Sequence, residues 1–297
     1  MPRSTGKISI LVVLAAALLP AAPAAASARP VAGRNFVGGK IDASIDPYRQ
    51  LELLSTKVVD HGRSLNVWLL SAPRGCGGDW DIASGKLPID SQGHFHGFLP
   101  FGHPGAQTGL AGVDGSFVPT RHGDVAAHTT IRARLTSPKT CGTGTFRMKA
   151  ISPKRGGPHG GRPAPNAVFV GITKQNSARI RVKLPMLALL DSTGTQVKRF
   201  VTDTSMPCKP SGRYESGLFR IKDMAIKDDK FDGVTGDVRP VEGSTDKRTL
   251  VLGVHGTFGQ RSVQGTWQAR DVQTNTEGTV TDDCDAGTVP WVAARVR

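Results

Sequence analysis

At 297 residues the chain is too long for one small sandwich and long enough for two domains of ordinary size. Its 36 Gly and 20 Pro mark frequent turns and leave little room for long helices. The balance of 38 Lys and Arg against 24 Asp and Glu, +14 overall, favours polyanionic partners, while 2 Tyr and 6% aromatic residues speak against a base-stacking surface for single-stranded nucleic acid.

The first 28 residues have the anatomy of a secretory signal peptide. Arg3 and Lys7 form the charged start, Ile8 to Leu19 the apolar run, and Ala26-Ser27-Ala28 the small-residue cleavage point. The apolar run is too short to span a bilayer of about 30 Å. No Cys follows it and no second Arg adjoins Arg3, so neither a lipid anchor nor a twin-arginine signal is expected. The product is expected to be secreted, with no membrane span after cleavage. Losing Arg3 and Lys7 takes the charge from +14 to +12. Wall teichoic acid, lipid headgroups or acidic polysaccharide would attract such a surface; net charge names no specific ligand.

One motif occurs twice. Gly112-Val-Asp-Gly-Ser-Phe117 lies between Cys76 and Cys141, and Gly253-Val-His-Gly-Thr-Phe258 lies between Cys208 and Cys284. Phe36-Val37-Gly38 precedes the first pair of cysteines as Phe169-Val170-Gly171 precedes the second. The chain therefore reads as one β-rich module copied in tandem. Four cysteines allow three pairings, and the duplication selects Cys76–Cys141 and Cys208–Cys284, oxidised after export. No short Cys-x₂₋₄-Cys spacing supports zinc, and no cofactor is implied.

The first unit is expected over residues 36–150. Ser64 to Leu70 reads as a buried strand, residues 77–88 as a loop or distorted edge, and Ile89 to Phe98 as a hairpin around Ser91-Gln92-Gly93. Residues 100–111 look irregular. Val113 to Val118 should pair with Thr130 to Leu135, where Arg132 and Arg134 alternate with Ile131, Ala133 and Leu135. Residues 151–167, rich in Pro and Gly with basic residues, form the linker.

The second unit is expected over residues 168–297. Ala178 to Leu184 alternates: Ile180, Val182 and Leu184 inward, Arg179, Arg181 and Lys183 outward. Met186 to Leu190 would continue the strand or make one helical turn. Ser192-Thr193-Gly194-Thr195 is a turn before a strand over Gln196 to Val201, and Ile226 to Phe231 mirrors Ile89 to Phe95. Leu250 to Phe258 and Val263 to Ala269 repeat the hairpin of the first unit, and Val289 to Val296 closes the second. The fold class is all-β: two tandem antiparallel β-sandwich domains related by internal duplication.

Gly171-x-Thr173-x-Gln175, Cys208, Phe231, Gly256-x-Phe258, Gly265-Thr266-Trp267, Cys284-x-x-Gly287 and Trp291-x-Ala293 together resemble a pattern in uncharacterised secreted proteins of actinobacterial type. The first unit follows it less closely, through Gly38, Cys76, Phe95, Gly115-x-Phe117 and Cys141-x-x-Gly144, with Phe146 roughly where Trp291 stands. The resemblance implies secretion and a β-sandwich, and brings no catalytic residue.

Candidate chemistry is sparse. His94 and His96 would share one strand face, with His103 nearby, as a metal-dependent hydrolase would require; an exposed two-His face is the preferred reading. Asp282-Asp283-Cys284-Asp285 lacks the residue order of a calcium loop and reads as a solvated acidic turn. Asp79 and Asp81 flank Trp80 as a glycosidase carboxylate pair would flank a sugar-stacking ring. Ser84-Gly85-Lys86 misses the phosphate-loop spacing, and no nucleophile elbow, H-E-x-x-H motif or glycosylation sequon occurs. The rows Arg132, Arg134 and Arg179, Arg181, Lys183 would either dock a linear polyanion or protect strand edges. The expectation is a non-catalytic secreted binding or structural module contacting anionic polymer. A carbohydrate-binding module resting on Trp68, Trp80, Trp267 and Trp291 is the alternative.

Overall fold

The structure is a computed structural model that describes residues 30–42, 50–72, 81–103, 106–119, 125–135, 141–142, 146–153, 163–177, 180–241 and 243–296. For 42, 50, 72, 103, 106–108, 119, 125–135, 141–142 and 146–149 it describes the backbone alone. Among the described residues there are seventeen strands, one 3-10 turn at Asp60–Gly62 and no α-helix.

The first unit is an antiparallel meander: β1 (Asn35–Asp42), β2 (Gln50–Val59), β3 (Ser64–Ala72), β4 (Asp81–Pro88), β5 (His94–His103), β6 (Ala106–Pro119) and β7 (Val125–Leu135). Two short strands follow, β8 (Cys141–Gly142) and β9 (Phe146–Ala150), both paired with β7. The bridge between Val37 and Ile151 returns the chain to β1.

The second unit repeats that plan: β10 (Val168–Asn176), β11 (Lys183–Leu190), β12 (Gln196–Lys209), β13 (Tyr214–Lys227), β14 (Lys230–Pro240), β15 (Lys247–Phe258), β16 (Ser262–Thr274) and β17 (Val280–Arg295). Here β10 pairs with β17 as well as β11, so the sheet closes into an eight-stranded barrel whose facing walls enclose one core. The two layers expected of a sandwich are thus opposite walls of one continuous sheet, in which β13 and β14 pair only beside their hairpin, Ile226 with Phe231 and Lys227 with Lys230.

The two units agree in register as well as order. Phe95 lies opposite Gly115 and Phe231 opposite Gly256. Phe117 N–H donates to Gly93 O at 3.0 Å, and Phe258 N–H to Asp229 O at 2.7 Å. Three phenylalanines fill each core alike: Phe117 sits 5.1 Å from Phe36 and 5.3 Å from Phe95, while Phe258 sits 5.4 Å from both Phe169 and Phe231. Register also corrects one correspondence. Trp291 lies opposite Gly265, whose counterpart Thr129 faces Met148, so Met148 and not Phe146 stands where Trp291 does. Matching by aromatic type misplaced it; Met148 stands as far from Cys141 as Trp291 does from Cys284.

Other expectations also change. Residues 81–88 form β4, because Asp81 to Pro88 finds a full partner in β3. Residues 100–111 are largely strand: Pro100 lies opposite Leu110 and Ala111 opposite Leu99, with a register shift after Phe101 that absorbs the irregular residues. Residues 180–182 form a turn, and the strand starts only at Lys183. Ile151 pairs with β1, and Ala167 is buried in the barrel core, so both ends of the expected linker are fixed to their units.

The barrel interior is apolar and aromatic, around Phe200, Phe231, Phe258, Trp267 and Trp291. Its outer face carries charged side chains such as Lys198, Lys222, Asp232 and Arg270. That is the reverse of a barrel that spans lipid, whose outward face is apolar. Strands β10 and β11 are short, at 9 and 8 residues, so beyond their ends the longer β12 and β17 meet directly, with Cys208 opposite Cys284. Next to this closure, inward side chains turn polar. Arg248 contacts Glu215 and Asp271 at 3.2 Å each, Arg239 reaches Asp271 at 3.4 Å, and Arg213 donates to Asp282 at 2.7 Å.

The units join through equivalent outer faces. Val37, Leu51, Leu53 and Leu70 of the first pack with Val170, Leu187 and Val201 of the second. Beside them Trp68 and Ile82 pack with Val182 and Leu184. This explains the unbroken apolar run Leu184 to Leu190: β11 faces the barrel core on one side and the neighbouring unit on the other, and a strand buried on both faces loses its alternation. Each buried aliphatic side chain contributes roughly 1.5–3 kcal/mol before entropy is counted. Gly39 sits at the centre, where a Cβ would lie 3.0 Å from Val170 and 3.2 Å from Leu187.

Candidate functional site

The seam carries more than apolar contact. At one end the β10–β11 hairpin leans on the first unit, with Asn66 donating to Ile180 O at 2.9 Å. Ile180, Val182 and Leu184 pack against Trp68 and Ile82 of the first unit. Their neighbours are thereby set at the rim. Arg181 is exposed at φ 52°, and Lys183 is half-buried with its Nζ donating to Lys174 O at 2.5 Å. Lys57 of β2 approaches from the other unit. Burial first, then the charges of Lys57 and Lys174, push the Lys183 ammonium below its ordinary range. Among the described residues none of these three lysines has a carboxylate partner, whereas Lys86 nearby pairs with Asp60. Three cations converging without a counter-ion form a surface for an anionic group to neutralise.

This differs from the expected row. Arg179 lies outside the described residues. Arg181 sits on a turn because the hairpin closes there: Arg181 N–H donates to Ser177 O and Ser177 N–H to Val182 O. Lys57 and Lys174 were not anticipated, since nothing in sequence brings position 57 to position 183. Arg132 and Arg134 lie at alternate positions of β7, opposite Gly112 and Leu110, and their side chains are outside the described residues.

The disulfide Cys208–Cys284 is present, and both residues are buried. Cys76 lies outside the described residues, and Cys141 pairs by its backbone with Leu135. Among the described residues the one group of three metal-type ligands within reach is Cys208, Asp282 and Cys284, and its two sulfurs are bonded to each other.

His94 and His96 do share an exposed face of β5, on either side of buried Phe95. Each is occupied by a different carboxylate: His94 Nδ1 is 3.4 Å from Asp90, and His96 Nδ1 is 3.2 Å from Asp114. The acidic run 282–285 is strand rather than turn, so alternation sends its members apart. Asp282 points inward to Ser211 and Arg213, while Asp283 points outward and accepts two hydrogen bonds from Arg270 at 2.9 and 2.6 Å. Desolvation raises Asp282, but hydrogen bonds from Ser211 and then Arg213 hold its carboxyl below the usual range, and the hydrogen bonds from Arg270 do the same for Asp283 against desolvation. Asp81 is buried at the head of β4 beside Ser71; Asp79 and Trp80 lie outside the described residues. Trp68, Trp267 and Trp291 are buried, so they are core rather than sugar platforms.

No family model and no curated protein matches the sequence. Solved structures give remote likenesses. A "putative outer membrane protein" from Bacteroides fragilis is 13% identical, with 89% of this chain and 97% of that one covered at a TM-score of 0.24. A protein with unknown function of the DUF3598 family, from Nostoc punctiforme, is 10% identical, with 89% and 94% covered at a TM-score of 0.20.

Proposed function

We propose that this is an exported, non-catalytic binding module that contacts anionic polymers at the cell envelope or in the medium. The observation that carries this reading is the meeting of Lys57, Lys174 and Lys183 at the seam, drawn from both units and lacking a carboxylate partner among the described residues. A net charge of +14 over the whole chain supports it, as does a buried disulfide, which fits an oxidising compartment. The docked units make the site, so duplication would have produced a surface that one copy lacks.

The test is retention of the purified protein on a poly(glycerol phosphate) matrix across a salt series. Binding should weaken steadily with ionic strength as screening shortens. Lys57→Gln and Lys183→Gln should each weaken it about threefold to tenfold, in line with roughly 1 kcal/mol for one exposed charge contact. Retention that ignores salt, or variants that bind like the parent, would refute the reading.

A further inference from the structure

The two units share an exposed constellation that their sequences conceal. On β5 and β6, His96 lies opposite Asp114 and Phe98 opposite Gly112. On β14 and β15, Asp232 lies opposite His255 and Val234 opposite Gly253. The cross-strand His–Asp pair is thus present twice with its members exchanged: 3.2 Å in the first unit, 2.6 Å in the second. Two residues along, each unit places an exposed apolar side chain across from a glycine, Phe98 at 68% exposure and Val234 at 77%. The next position adds another, Leu110 or Val251, at 56% and 48%. The third strand continues the match: Thr130 and Thr266 lie beside the pair, and Arg134 and Arg270 beside Leu110 and Val251.

Among the described side chains none of these belongs to a core, so packing does not explain why two copies of a duplicated module both carry them. In the second unit they border a groove of about 210 Å³ over Gly253, rimmed by Asp232, His255, Thr266, Gln268 and Thr288. It runs on, through Gln268 and Thr288, into a wider depression of about 690 Å³ where β17 bulges at residues 286–287. This face reaches β17, whose other edge pairs with β10, and shares none of its lining side chains with the seam.

We infer that each unit presents a saccharide subsite on this face, and that the ligand is a neutral glycan. The floor is apolar and side-chain-poor, as the C–H face of a sugar ring requires, and in the first unit it carries an aromatic ring, Phe98, with His96 edge-on at 5.8 Å. The rim offers donors and acceptors together, as ring hydroxyls require: a carboxylate, an imidazole, hydroxyls and an amide. In the second unit an anion is disfavoured, because Arg270, which borders the wider depression, is already held by Asp283. Two equivalent subsites on one chain would suit a repeating polymer, which both could grip at once.

The experiment is isothermal titration of the purified protein with neutral oligosaccharides chosen from a glycan array, in parallel with the poly(glycerol phosphate) assay. Neutral-glycan binding should persist at about 0.5 M salt, where polyanion binding is screened, so the two readings fail separately. Phe98→Ala and Gln268→Ala should each weaken binding about fivefold or more, since one hydrogen bond or stacking contact is worth about 1 kcal/mol. Asp232→Ala tests the pair, and the reciprocal exchange Asp232→His with His255→Asp recreates the first unit's arrangement and should retain binding. Circular dichroism confirms the fold of each variant. No neutral glycan bound, or affinity unmoved by these substitutions, would overturn the inference; a pair that only braces the sheet would lower stability and leave binding intact.

Discussion

The indole N–H of Trp68 in the first unit donates to a carboxylate oxygen of Asp203 in the second at 2.6 Å, inside the seam between the units. Asp203 is fully buried, and its other oxygen has no hydrogen-bond partner. A buried carboxyl of this kind is inexpensive when neutral and costly when ionised.

Burial pushes Asp203 up to about 7 from 3.8, against the opposing effects of Trp68 and the Thr204 backbone. Between those values the folded chain keeps a proton that the unfolded chain has released. Its stabilisation is therefore complete below the unfolded value and is lost as pH rises through about 7. The full swing is roughly 4 kcal/mol at most. Urea unfolding should show lower stability at about pH 8.5 than at about pH 5.5, and Asp203→Asn should remove most of the difference. A parent protein equally stable at both would contradict the assignment.

The disulfide closes a loop of 76 residues between two strands that are not neighbours in the meander. Reduction, or Cys208→Ser with Cys284→Ser, should cost about 4 kcal/mol through the freed unfolded chain. Denaturant midpoints with and without reductant measure it. A change below about 1 kcal/mol would mean that the barrel end holds without the bond.

Gly256 leaves room for an aromatic edge. A Cβ there would lie 2.3 Å from the Phe231 ring, which packs against Phe258 and Trp291. Gly256→Ala should destabilise by about 1–3 kcal/mol. Phe231→Leu in the same chain should recover part of that loss, giving a coupling that a double-mutant cycle resolves. Additive losses would place the clash elsewhere.

Asp271 is buried and receives both Arg239 and Arg248 at the polar end of the barrel. Asp271→Ala removes the carboxylate shared by those guanidiniums, and because Arg248 keeps Glu215 and Arg239 is half exposed it should cost about 1–3 kcal/mol. Adding Arg248→Met should return part of that, because a guanidinium that has lost one partner goes with it. Thermal unfolding of the three variants distinguishes the outcomes; no rescue would point to lost packing instead of lost charge.

The strand pattern was largely legible. Alternation at Ile131 to Leu135, the turn at Ser192 to Thr195 and the doubled Gly-Val-x-Gly-x-Phe motif all reflect local rules; paired strands occupy the first and last, and a turn occupies 192–195. Legibility failed where one residue's role depends on another strand. Residues 77–88 looked like loop because Gly and Asp are poor in strands, yet Asp81 to Pro88 gains a full ladder from β3. The His–Asp pairs escaped notice because exchanging the two residues erases any identity at either position while preserving the contact between them.

The linear chain by itself determined that this protein is all-β and built in two antiparallel units, because periodicity, turn residues and repetition are written locally. Closure of the second sheet, the docking of the units and the gathering of Lys57 with Lys183 were decided only in three dimensions. The physical reason is that each depends on contacts between positions far apart in sequence, and such contacts are fixed by how long neighbouring strands run and which of their faces find an apolar partner.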